Sequence, residues 1–529
     1  MKWKQVLRMG MLGLGCLGMA ACSNQSAEAP RNEPSSETRE KYRTVITTDG
    51  EVDDMNSMIR YFYYANEMEL AGIVITSSTY HYAGDEEKGI EPFRWTGTDW
   101  IYEMIDAYEK IQPNLAKHAE GYPTADSIRQ ITKIGNISTV GEMEEVTEGS
   151  EYLMDLFLDD DERPLYVQTW GGTNTTARAL KSIEEQYKDT DEWEEIQEKI
   201  NQKLVLYIIL DQDDSYGNYI AKAWPELQVI NDQSNFWYFA YLWQANPDEV
   251  NETLQADWQK ANILDNNGPL MDLYASMGDG NLIEGELPEE QRGSEDYLKN
   301  NPQYQQYDFI SEGDSPSYFF LLQNGLNHVA YPEYGGWGGR FGRTNDSLLQ
   351  NTVLDYNPYT KQFESQYTLT RWLTDINHDF AARADWGVAE SYEDANHNPT
   401  ATVKEGTELT AQAGDKVTLT AQASDPDKDE LTYKWWRYFE ADTYQEYSGS
   451  TKAVETINEE YGLSLGWTRQ LDENEVVDAV TLTSADSEKM TFAIPDDAKA
   501  GDSFHIILEV KDDGELPLKA YQRVIITVE

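Results

Sequence analysis

The chain has 529 residues, more than one domain usually holds, so we expect two folded domains. It carries 96 acidic and 41 basic side chains, for a formal net charge of -55. This charge would repel nucleic acid and anionic membranes, whereas neutral glycans and cationic ligands remain compatible with it. Such acidity is also typical of a solvated surface, so charge alone does not indicate a function.

Residues 1–21 have the pattern of a secretion signal. Lys2, Lys4 and Arg8 precede an apolar, glycine-rich run from Met9 to Met19. Small residues directly before Cys22 and polar residues directly after it resemble a bacterial lipobox, with Met19 in place of the usual Leu. We therefore expect lipidation of Cys22 and a lipoprotein of the bacterial cell envelope, facing the periplasm or the cell surface.

Residues 22–41 are rich in Ser, Glu, Pro and Ala, which predicts a disordered tether. No later segment reaches 18 consecutive apolar residues, so we expect the membrane to be contacted through the lipid anchor only. Cys16 would leave with the signal and Cys22 would carry lipid. This excludes a disulfide, a zinc-thiolate site and a cysteine nucleophile in the mature chain.

The strongest chemical signal follows the first predicted strand. Tyr42 to Thr48 is β-branched and aromatic, whereas Met55 to Ala65 has the apolar spacing of an amphipathic helix. Asp49 then lies at a strand end, and Asp53 and Asp54 in the first turn of a helix. One or two acids there can cap backbone N–H groups. Three acids within six residues indicate a hard cation such as Ca²⁺.

From residue 42 to residue 392, apolar strands alternate with amphipathic helical stretches. Further predicted strands are Glu69 to Thr76, Pro164 to Thr169, Lys203 to Leu210 and Glu226 to Ile230, and predicted helices include Thr98 to Glu109 and Thr175 to Tyr187. The alternation predicts an α/β domain with a mostly parallel sheet and helices on both faces. Ligands of such sheets bind beyond the carboxyl ends of the strands, where Asp49 lies.

Residues 393–529 predict an all-β domain of immunoglobulin-like sandwich type. The predicted strands are Val417 to Leu419, Leu431 to Trp435, Val477 to Leu482, Met490 to Phe492, Phe504 to Val510 and Val524 to Val528. The acidic segment Asp425 to Asp429 lacks the Gly and Glu that an EF-hand needs, since Glu430 and Trp436 stand there. We interpret it as a solvated hairpin turn.

Three further segments have both a structural and a functional interpretation. Trp170 to Asn174, with two glycines, follows the strand that ends at Thr169, and Glu312 to Ser317 opens a helix-like run. A glycine turn and helix caps would explain each one taken alone. The loop Tyr334 to Arg340 sets Trp337 among four glycines, which would let the backbone approach a ligand or simply form a tight loop.

The segment around Asp49 resembles the N-terminal motif of the nucleoside hydrolase superfamily. Asp49, Asp53 and Asp54 fall on its acidic positions, whereas Thr47 and Glu51 replace its usual Asp and Gly. In this form, and together with the segments above, the chain is similar to the nucleoside-hydrolase-like domain of a family named after a cellulose-binding protein, with its C-terminal immunoglobulin-like domain. The resemblance covers nearly all of the mature chain.

The resemblance implies a Ca²⁺ ion held by Asp49, Asp54, Asp314 and the carbonyl of Thr173. It also implies that Asp53 binds a pair of sugar hydroxyls. Asp49 would act as general base for an attacking water, and direct attack on the anomeric carbon inverts its configuration.

The general acid is unassigned, because Gly313 stands where purine-type nucleoside hydrolases have a His. His81, Glu91 and Asp213 follow apparent strands and are candidates, although a lone His is more often structural. Aromatic and amide groups that could bind a sugar are Tyr80, Trp95, Trp170, Asn174, Asn218 and Trp337, with Arg340 as a further hydrogen-bond donor.

Three functions remain open from the sequence. A Ca²⁺-dependent glycosidase outside the cytoplasm is favoured by the lipid tether, the acidic surface and the appended β-sandwich. A secreted nucleoside N-ribohydrolase would use the same metal and base, but Thr47, Glu51 and Gly313 count against it. A noncatalytic cellulose- or polysaccharide-binding protein would keep the pocket only to hold sugar. The identity of the glycan and the oligomeric state are not indicated.

Overall fold

The structure is a computed structural model that describes residues 40–444, 454–458, 463–470 and 480–529. The predicted signal peptide, Cys22 and nearly all of the predicted tether lie outside these residues. Within the described ranges, no helix combines the length and the hydrophobicity that crossing a bilayer requires.

The main sheet has eight strands in the order β3-β2-β1-β4-β5-β6-β8-β7. Its strands are β1 Arg43–Thr48, β2 Glu69–Ile75, β3 Thr132–Ile134, β4 Leu165–Thr169, β5 Leu204–Ile209, β6 Gln228–Asp232, β7 Gly342–Arg343 and β8 Leu348–Gln350. All neighbouring pairs are parallel except the β7–β8 pair at the edge. The predicted mostly parallel sheet is therefore confirmed.

Helices cover both faces of this sheet. Val45 and Ile46 are neighbours in β1, yet they enter two different apolar clusters because alternate side chains of a strand point to opposite faces. The helices are α1 Val52–Tyr63, α2 Trp100–His118, α3 Ala125–Gln130, α4 Glu148–Leu158, α5 Asn174–Tyr187, α6 Trp193–Lys203, α7 Ala221–Ala223, α8 Asp248–Asn251, α9 Ala256–Gln259, α10 Gly268–Met271, α11 Glu295–Asn300, α12 Ser315–Phe319, α13 Tyr367–Thr370 and α14 Leu373–Trp386. Ile46 packs with residues of α1, α2 and α14, and Val45 with residues of α4, α5 and α6.

The predicted helix Thr98 to Glu109 is longer in the structure. It begins at Trp100, continues through Pro113 and ends at His118 as α2. Its buried face repeats every three or four residues, and Ile111 and Leu115 extend that face beyond the predicted end.

The C-terminal part is all-β, as predicted. One sheet has the order β11-β13-β17 and another the order β12-β19-β18-β14. Their strands are β11 Thr400–Val403, β12 Glu408–Ala411, β13 Lys416–Ser424, β14 Thr432–Arg437, β17 Lys489–Ala493, β18 Ser503–Lys511 and β19 Lys519–Val528. Leu419, Trp435 and Phe504 belong to one apolar cluster between them, consistent with a sandwich. Of the predicted strand Val477 to Leu482, the first three residues lie outside the described chain and the last three are not in a strand.

A fourth sheet crosses the predicted domain boundary at residues 392 and 393. It has the order β15-β16-β10-β9, with β9 Asp355–Asn357, β10 Gln362–Glu364, β15 Val454–Asn458 and β16 Leu463–Gln470. β10, from the first predicted domain, pairs antiparallel with β16, from the second. Lys41–Glu529 accordingly forms one compact unit.

A buried ion pair fixes α1 against the segment before α12. Arg60 donates to both carboxylate oxygens of Glu312, at 2.5 and 2.8 Å, and its side chain is 1% exposed. The Arg60 guanidinium also lies 3.8 Å from the centroid of the Phe380 ring. Removing either partner would leave a buried charge uncompensated.

We expect Arg60→Ala to reduce the free energy of unfolding by about 3–5 kcal/mol, because Glu312 loses its counter-charge inside the protein. Urea unfolding followed by tryptophan fluorescence would measure this loss. Arg129→Ala is the matched control, since Arg129 pairs with exposed acids such as Asp106 and its removal should cost less than about 1 kcal/mol. Equal losses in the two variants would contradict the expectation.

Candidate functional site

Five carboxylates gather beyond the carboxyl end of β1. Asp49 follows the strand, and Glu51 occupies the N-cap position of α1. Asp53 and Asp54 lie in the first turn of α1, and Asp314 is the N-cap residue of α12. The four aspartates are each more than nine-tenths buried. Carboxylate oxygens of Asp53, Asp54 and Asp314 lie within 4.8 Å of one another.

Helix capping does not account for these acids. The N-cap side chains of α1 and α12 accept no capping hydrogen bond from the backbone. Asp54 Oδ1 instead accepts hydrogen bonds from Thr48 Oγ1 at 2.5 Å and from the backbone N–H of Asp49 at 3.2 Å. Asp49 Oδ2 and Asp314 Oδ2 are buried without a hydrogen-bond partner. Buried acceptors left unpaired are costly, which indicates a ligand.

The electrostatics of the cluster point to a cation. Burial, followed by the charges of Glu51 and Asp49, raises the pKa of Asp53 to about 8. Burial and the neighbouring aspartates hold the pKa of Asp54 and of Asp314 well above the usual range. Burial also raises the pKa of Asp49. A hard divalent cation with oxygen ligands would compensate this charge, so the carboxylates fit a site for such a cation.

Two glycines make the close approach of these segments possible. Gly50 has φ of +77°, and a Cβ there would lie 2.7 Å from Trp100 Nε1. A Cβ on Gly313 would lie 2.8 Å from Asp53 Oδ2. The position before Asp314 therefore has no room for the His that purine-type nucleoside hydrolases carry.

The turn that contains Thr173 lies against Asp49. A Cβ on Gly171 would be 2.9 Å from Asp49 Cβ. The Thr173 carbonyl accepts the backbone N–H of Ala177 at 2.8 Å, as expected before a helix. Since a carbonyl oxygen has two lone pairs, this one can still serve as a cation ligand.

Two of the predicted site residues, Asp213 and Asn174, form hydrogen bonds within the surrounding loops. The carboxylate of Asp213 accepts hydrogen bonds from Thr173 Oγ1, Asn174 N–H and Ser215 N–H. The amide group of Asn174 is bonded to Thr76 Oγ1, Ser77 Oγ and the carbonyl of Asn136. Asn174 is fully buried, so these bonds would have to break before it could reach a substrate.

Four other candidates have no described contact with these carboxylates. Glu91 and Asn218 are exposed. Trp337 is buried, with its ring 6.4 Å from that of Tyr521 in β19. The Arg340 guanidinium donates to Asp355 Oδ1 at 2.8 Å and to the carbonyl of Leu354. The glycine-rich loop therefore packs against the C-terminal strands, and the predicted substrate-binding role of Trp337 and Arg340 gains no support.

Among the aromatic candidates, Tyr80 is influenced by the charges of the cluster. Burial, then the charges of Glu51 and Asp49, raises the pKa of Tyr80. Trp170 is fully buried, and its indole N–H donates to Ser317 Oγ at 2.9 Å. Trp95 is half-buried, next in sequence to Arg94.

The structure adds residues that the sequence did not indicate. Tyr241 O–H lies 3.0 Å from both Glu51 Oε1 and Asp53 Oδ1. Arg94 Nη2 lies 3.0 Å from Glu51 Oε1 and 2.8 Å from Glu286 Oε1. Tyr241 and Glu286 come from loops distant in sequence, and no motif or periodicity marks them. The replacement of the family's usual Gly by Glu51 was the one available signal.

His81 is the candidate acid that the structure places at the cluster. It is fully buried, and its Nε2 lies 3.4 Å from Glu286 Oε1 and 3.9 Å from Glu51 Oε2. Arg94 contacts the same two glutamates, Glu51 and Glu286. Burial acts to raise the pKa of Glu51. The charges of His81, Arg94 and Arg292 act in the opposite direction, and the net effect is a lowered pKa.

The parallel sheet and the acidic cluster after its first strand define a nucleoside-hydrolase-related α/β protein. Residues 43–341 match the family described as "Cellulose-binding Sde182, nucleoside hydrolase-like domain". Residues 416–528 match "Cellulose-binding protein Sde0182, C-terminal domain". The chain therefore belongs to this cellulose-binding family, as its sequence motifs predicted.

A solved structure supports the same fold over almost the whole chain. It is a nucleoside hydrolase-related hypothetical protein from Saccharophagus degradans, described as associated with carbohydrate metabolism. The two are 25% identical with a TM-score of 0.66, over 93% of this chain and 100% of that chain. A PKD domain from the KIAA 1837 protein (19% identity, 25% of this chain, 89% of that chain) and a PapD-like domain of human CEP192 (7%, 25% and 84%) have TM-scores of 0.14, too low to carry an argument. No curated protein matches the chain.

The raised pKa of Asp53 predicts how stability without metal depends on pH. The folded protein keeps the Asp53 proton up to about pH 8, whereas the unfolded chain releases it near pH ~4, so unfolding releases a proton between these values. In chelator, Asp53 therefore makes the folded state less stable as the pH rises through this window. Asp53→Asn should gain stability over the wild type by up to about 1.4 kcal/mol per pH unit.

Thermal unfolding of both proteins between pH 5 and pH 8 in chelator would measure this difference. Asp248→Asn, a change at an exposed acid in the first turn of α8, is the control and should follow the wild type throughout. A constant difference between Asp53→Asn and the wild type across the range would show that the carboxyl is already ionised at low pH.

Proposed function

We propose that the protein is a lipid-anchored glycosidase of the bacterial cell envelope that depends on Ca²⁺ and hydrolyses glycosides or polysaccharide fragments. The observation that carries this proposal is the pair of buried oxygens without partners, Asp49 Oδ2 and Asp314 Oδ2. They belong to a carboxylate group in which burial raises the pKa of every aspartate. Such a group suits a cation together with a base that can still accept a proton.

The residues present suggest separate tasks in hydrolysis. Asp49, Asp54, Asp314 and the Thr173 carbonyl would hold the cation, which when bound supplies positive charge and polarises an oxygen ligand. Asp49 accepts a proton from the attacking water. Asp53, whose Oδ1 accepts a hydrogen bond from a neighbouring tyrosine hydroxyl, binds hydroxyls of the sugar. Since water attacks the anomeric carbon directly, the product has inverted configuration.

The comparisons and the site both favour a glycan over a nucleoside. The family description names cellulose binding, and the solved relative is described as associated with carbohydrate metabolism. Glu51 stands where nucleoside hydrolases usually have Gly, and in this chain it forms an ion pair with Arg94 beside Asp53. Gly313 also replaces the His that purine-type nucleoside hydrolases have before the distal Asp.

Noncatalytic binding of cellulose or another polysaccharide is the second candidate, favoured by the family description. In that case the same carboxylates and cation would hold sugar hydroxyls, and Asp49 would act only as a metal ligand. A secreted nucleoside N-ribohydrolase is a further outcome that the same assay would detect.

The test is sugar release by purified residues 23–529 from a panel of oligosaccharides, aryl glycosides and nucleosides, with Ca²⁺ or with chelator. We expect release that needs Ca²⁺ and that Asp49→Asn reduces by about 10²–10⁴-fold, since a base is lost. NMR of the first product should show inverted anomeric configuration. The exposed change Asp248→Asn should leave the rate unchanged.

Calorimetric titration with Ca²⁺ and with cello-oligosaccharides separates the alternatives. Ca²⁺ and glycan binding without any sugar release would favour the binding protein. Release from nucleosides alone would identify a ribohydrolase. Absence of Ca²⁺ binding would overturn the proposed cation site.

Lipidation of Cys22 is proposed from the sequence motif alone. We expect the full chain, expressed in a bacterium with its own leader, to fractionate with membranes and to extract into detergent. Cys22→Ser should move the protein to the soluble fraction or leave its leader uncleaved. An unchanged distribution of the Cys22→Ser protein would contradict the lipid anchor.

A further inference from the structure

His81 is a buried imidazole whose ring has no hydrogen-bond partner. It follows β2 and is 0% exposed. Its backbone is fixed by Ser78, because His81 N–H donates to Ser78 Oγ at 3.3 Å and Ser78 N–H donates to the His81 carbonyl at 2.8 Å. Nδ1 and Nε2 both lack a partner. Two unsatisfied ring nitrogens in a buried side chain indicate that a ligand completes the site.

Two carboxylates lie on the Nε2 side of the ring. Glu286 Oε1 lies 3.4 Å and Glu51 Oε2 lies 3.9 Å from Nε2. Arg94 holds both carboxylates, with Nη2 contacts of 3.0 and 2.8 Å. Carboxylates at these distances can orient the imidazole ring. Nε2 therefore faces the two carboxylates, and Nδ1 is left for a ligand.

The position of His81 also suits a partner for Asp49. The charge of His81 is the main influence that opposes the effect of burial on the pKa of Asp49. His81 Nε2 lies against Glu51 and Glu286 instead, so its imidazole and the Asp49 carboxylate are separate groups. An acid and a base on either side of a scissile bond are what glycoside hydrolysis requires.

We propose that His81 is the general acid of the reaction, a catalytic residue that protonates the departing oxygen of the leaving group. Glu286 is a positioning residue that holds the imidazole. The inference rests on the proposed glycosidase function and deepens it. It implies substrates whose leaving group is a sugar or alcohol oxygen, since an alkoxide departs slowly unless it is protonated.

The step is balanced in atoms and protons. The oxygen of water forms a bond to the anomeric carbon while the bond from that carbon to the leaving oxygen breaks. Asp49 takes one proton from the water, and the imidazolium of His81 gives one proton to the leaving oxygen. The products are a free sugar and an alcohol, and one water is consumed. Proton exchange with solvent returns Asp49 and His81 to their starting states.

The test compares two leaving groups on the sugar that the wild type accepts. A methyl glycoside needs a protonated leaving group, whereas a 2,4-dinitrophenyl glycoside does not. We expect His81→Asn to lower kcat/KM for the methyl glycoside by about 10²–10⁴-fold and for the dinitrophenyl glycoside by less than about tenfold. Glu286→Gln should show the same dependence on the leaving group with a smaller loss.

The matched control is His378→Asn, because His378 is a half-buried histidine that contacts the carbonyl of Pro517 and stacks on Trp258. It should leave both rates unchanged. His81→Gln serves as a second variant if His81→Asn does not fold, which calorimetry and retained Ca²⁺ affinity would show.

Each outcome separates this inference from the proposed function. Equal losses of His81→Asn on both glycosides, with an active wild type, would overturn the role of His81 and leave the glycosidase standing. A wild type that binds Ca²⁺ but hydrolyses neither glycoside would overturn both. A selective loss on the methyl glycoside, with Asp49→Asn inactive on both, is the result that supports His81 as the acid.

Discussion

The repulsion among buried carboxylates at the end of β1 is the constraint on which the rest of the site depends. Asp49, Asp53, Asp54 and Asp314 are each more than nine-tenths buried there. With like charges so close, the group either holds protons or binds a cation. A cation that binds the folded chain and not the unfolded chain also stabilises the fold, so metal binding and stability are linked.

Two contacts in the core beneath the cluster hold the acidic segments together. α1 carries Asp53 and Asp54 in its first turn and Arg60 in its last turn, where the guanidinium pairs with Glu312. The side chain of Asn56, between them, donates to the carbonyl of Ser311 at 3.2 Å. Both contacts join α1 to the segment that leads into Asp314. Without them, repulsion would push the two acidic segments apart.

Local signals explain which parts of the site could be predicted. The β-branched run before Asp49 and the apolar spacing after it specify a strand, a turn and a helix within about twenty residues, so the acids fall at predictable positions. Tyr241 and Glu286 reach Glu51 and its neighbours from segments roughly 190 and 235 positions away. Only the tertiary fold decides which loops meet there, so no local pattern could find them.

Trp337 and Arg340 show the opposite limit. Four glycines around one aromatic ring are compatible with a ligand loop and with a packing loop, and the sequence does not separate these cases. In the structure Arg340 forms an ion pair with Asp355. Asp355 also accepts a hydrogen bond of 2.6 Å from the hydroxyl of Tyr438, which directly follows β14. This buried ion pair, completed by the Tyr438 hydroxyl, stabilises the packing of the loop.

The C-terminal domain therefore supports the site without needing to touch a ligand. The Trp337 ring packs against Tyr521 of β19, and a Cβ on Gly338 would lie 2.7 Å from the Cα of Phe320. Phe320 is the C-cap residue of α12, whose N-cap residue is Asp314. Packed contacts thus run from the β-domain through the glycine loop to a helix that carries a cluster carboxylate. Since interiors of this density deform little, the β-domain restrains where Asp314 lies relative to Asp49, whether or not it also binds polysaccharide.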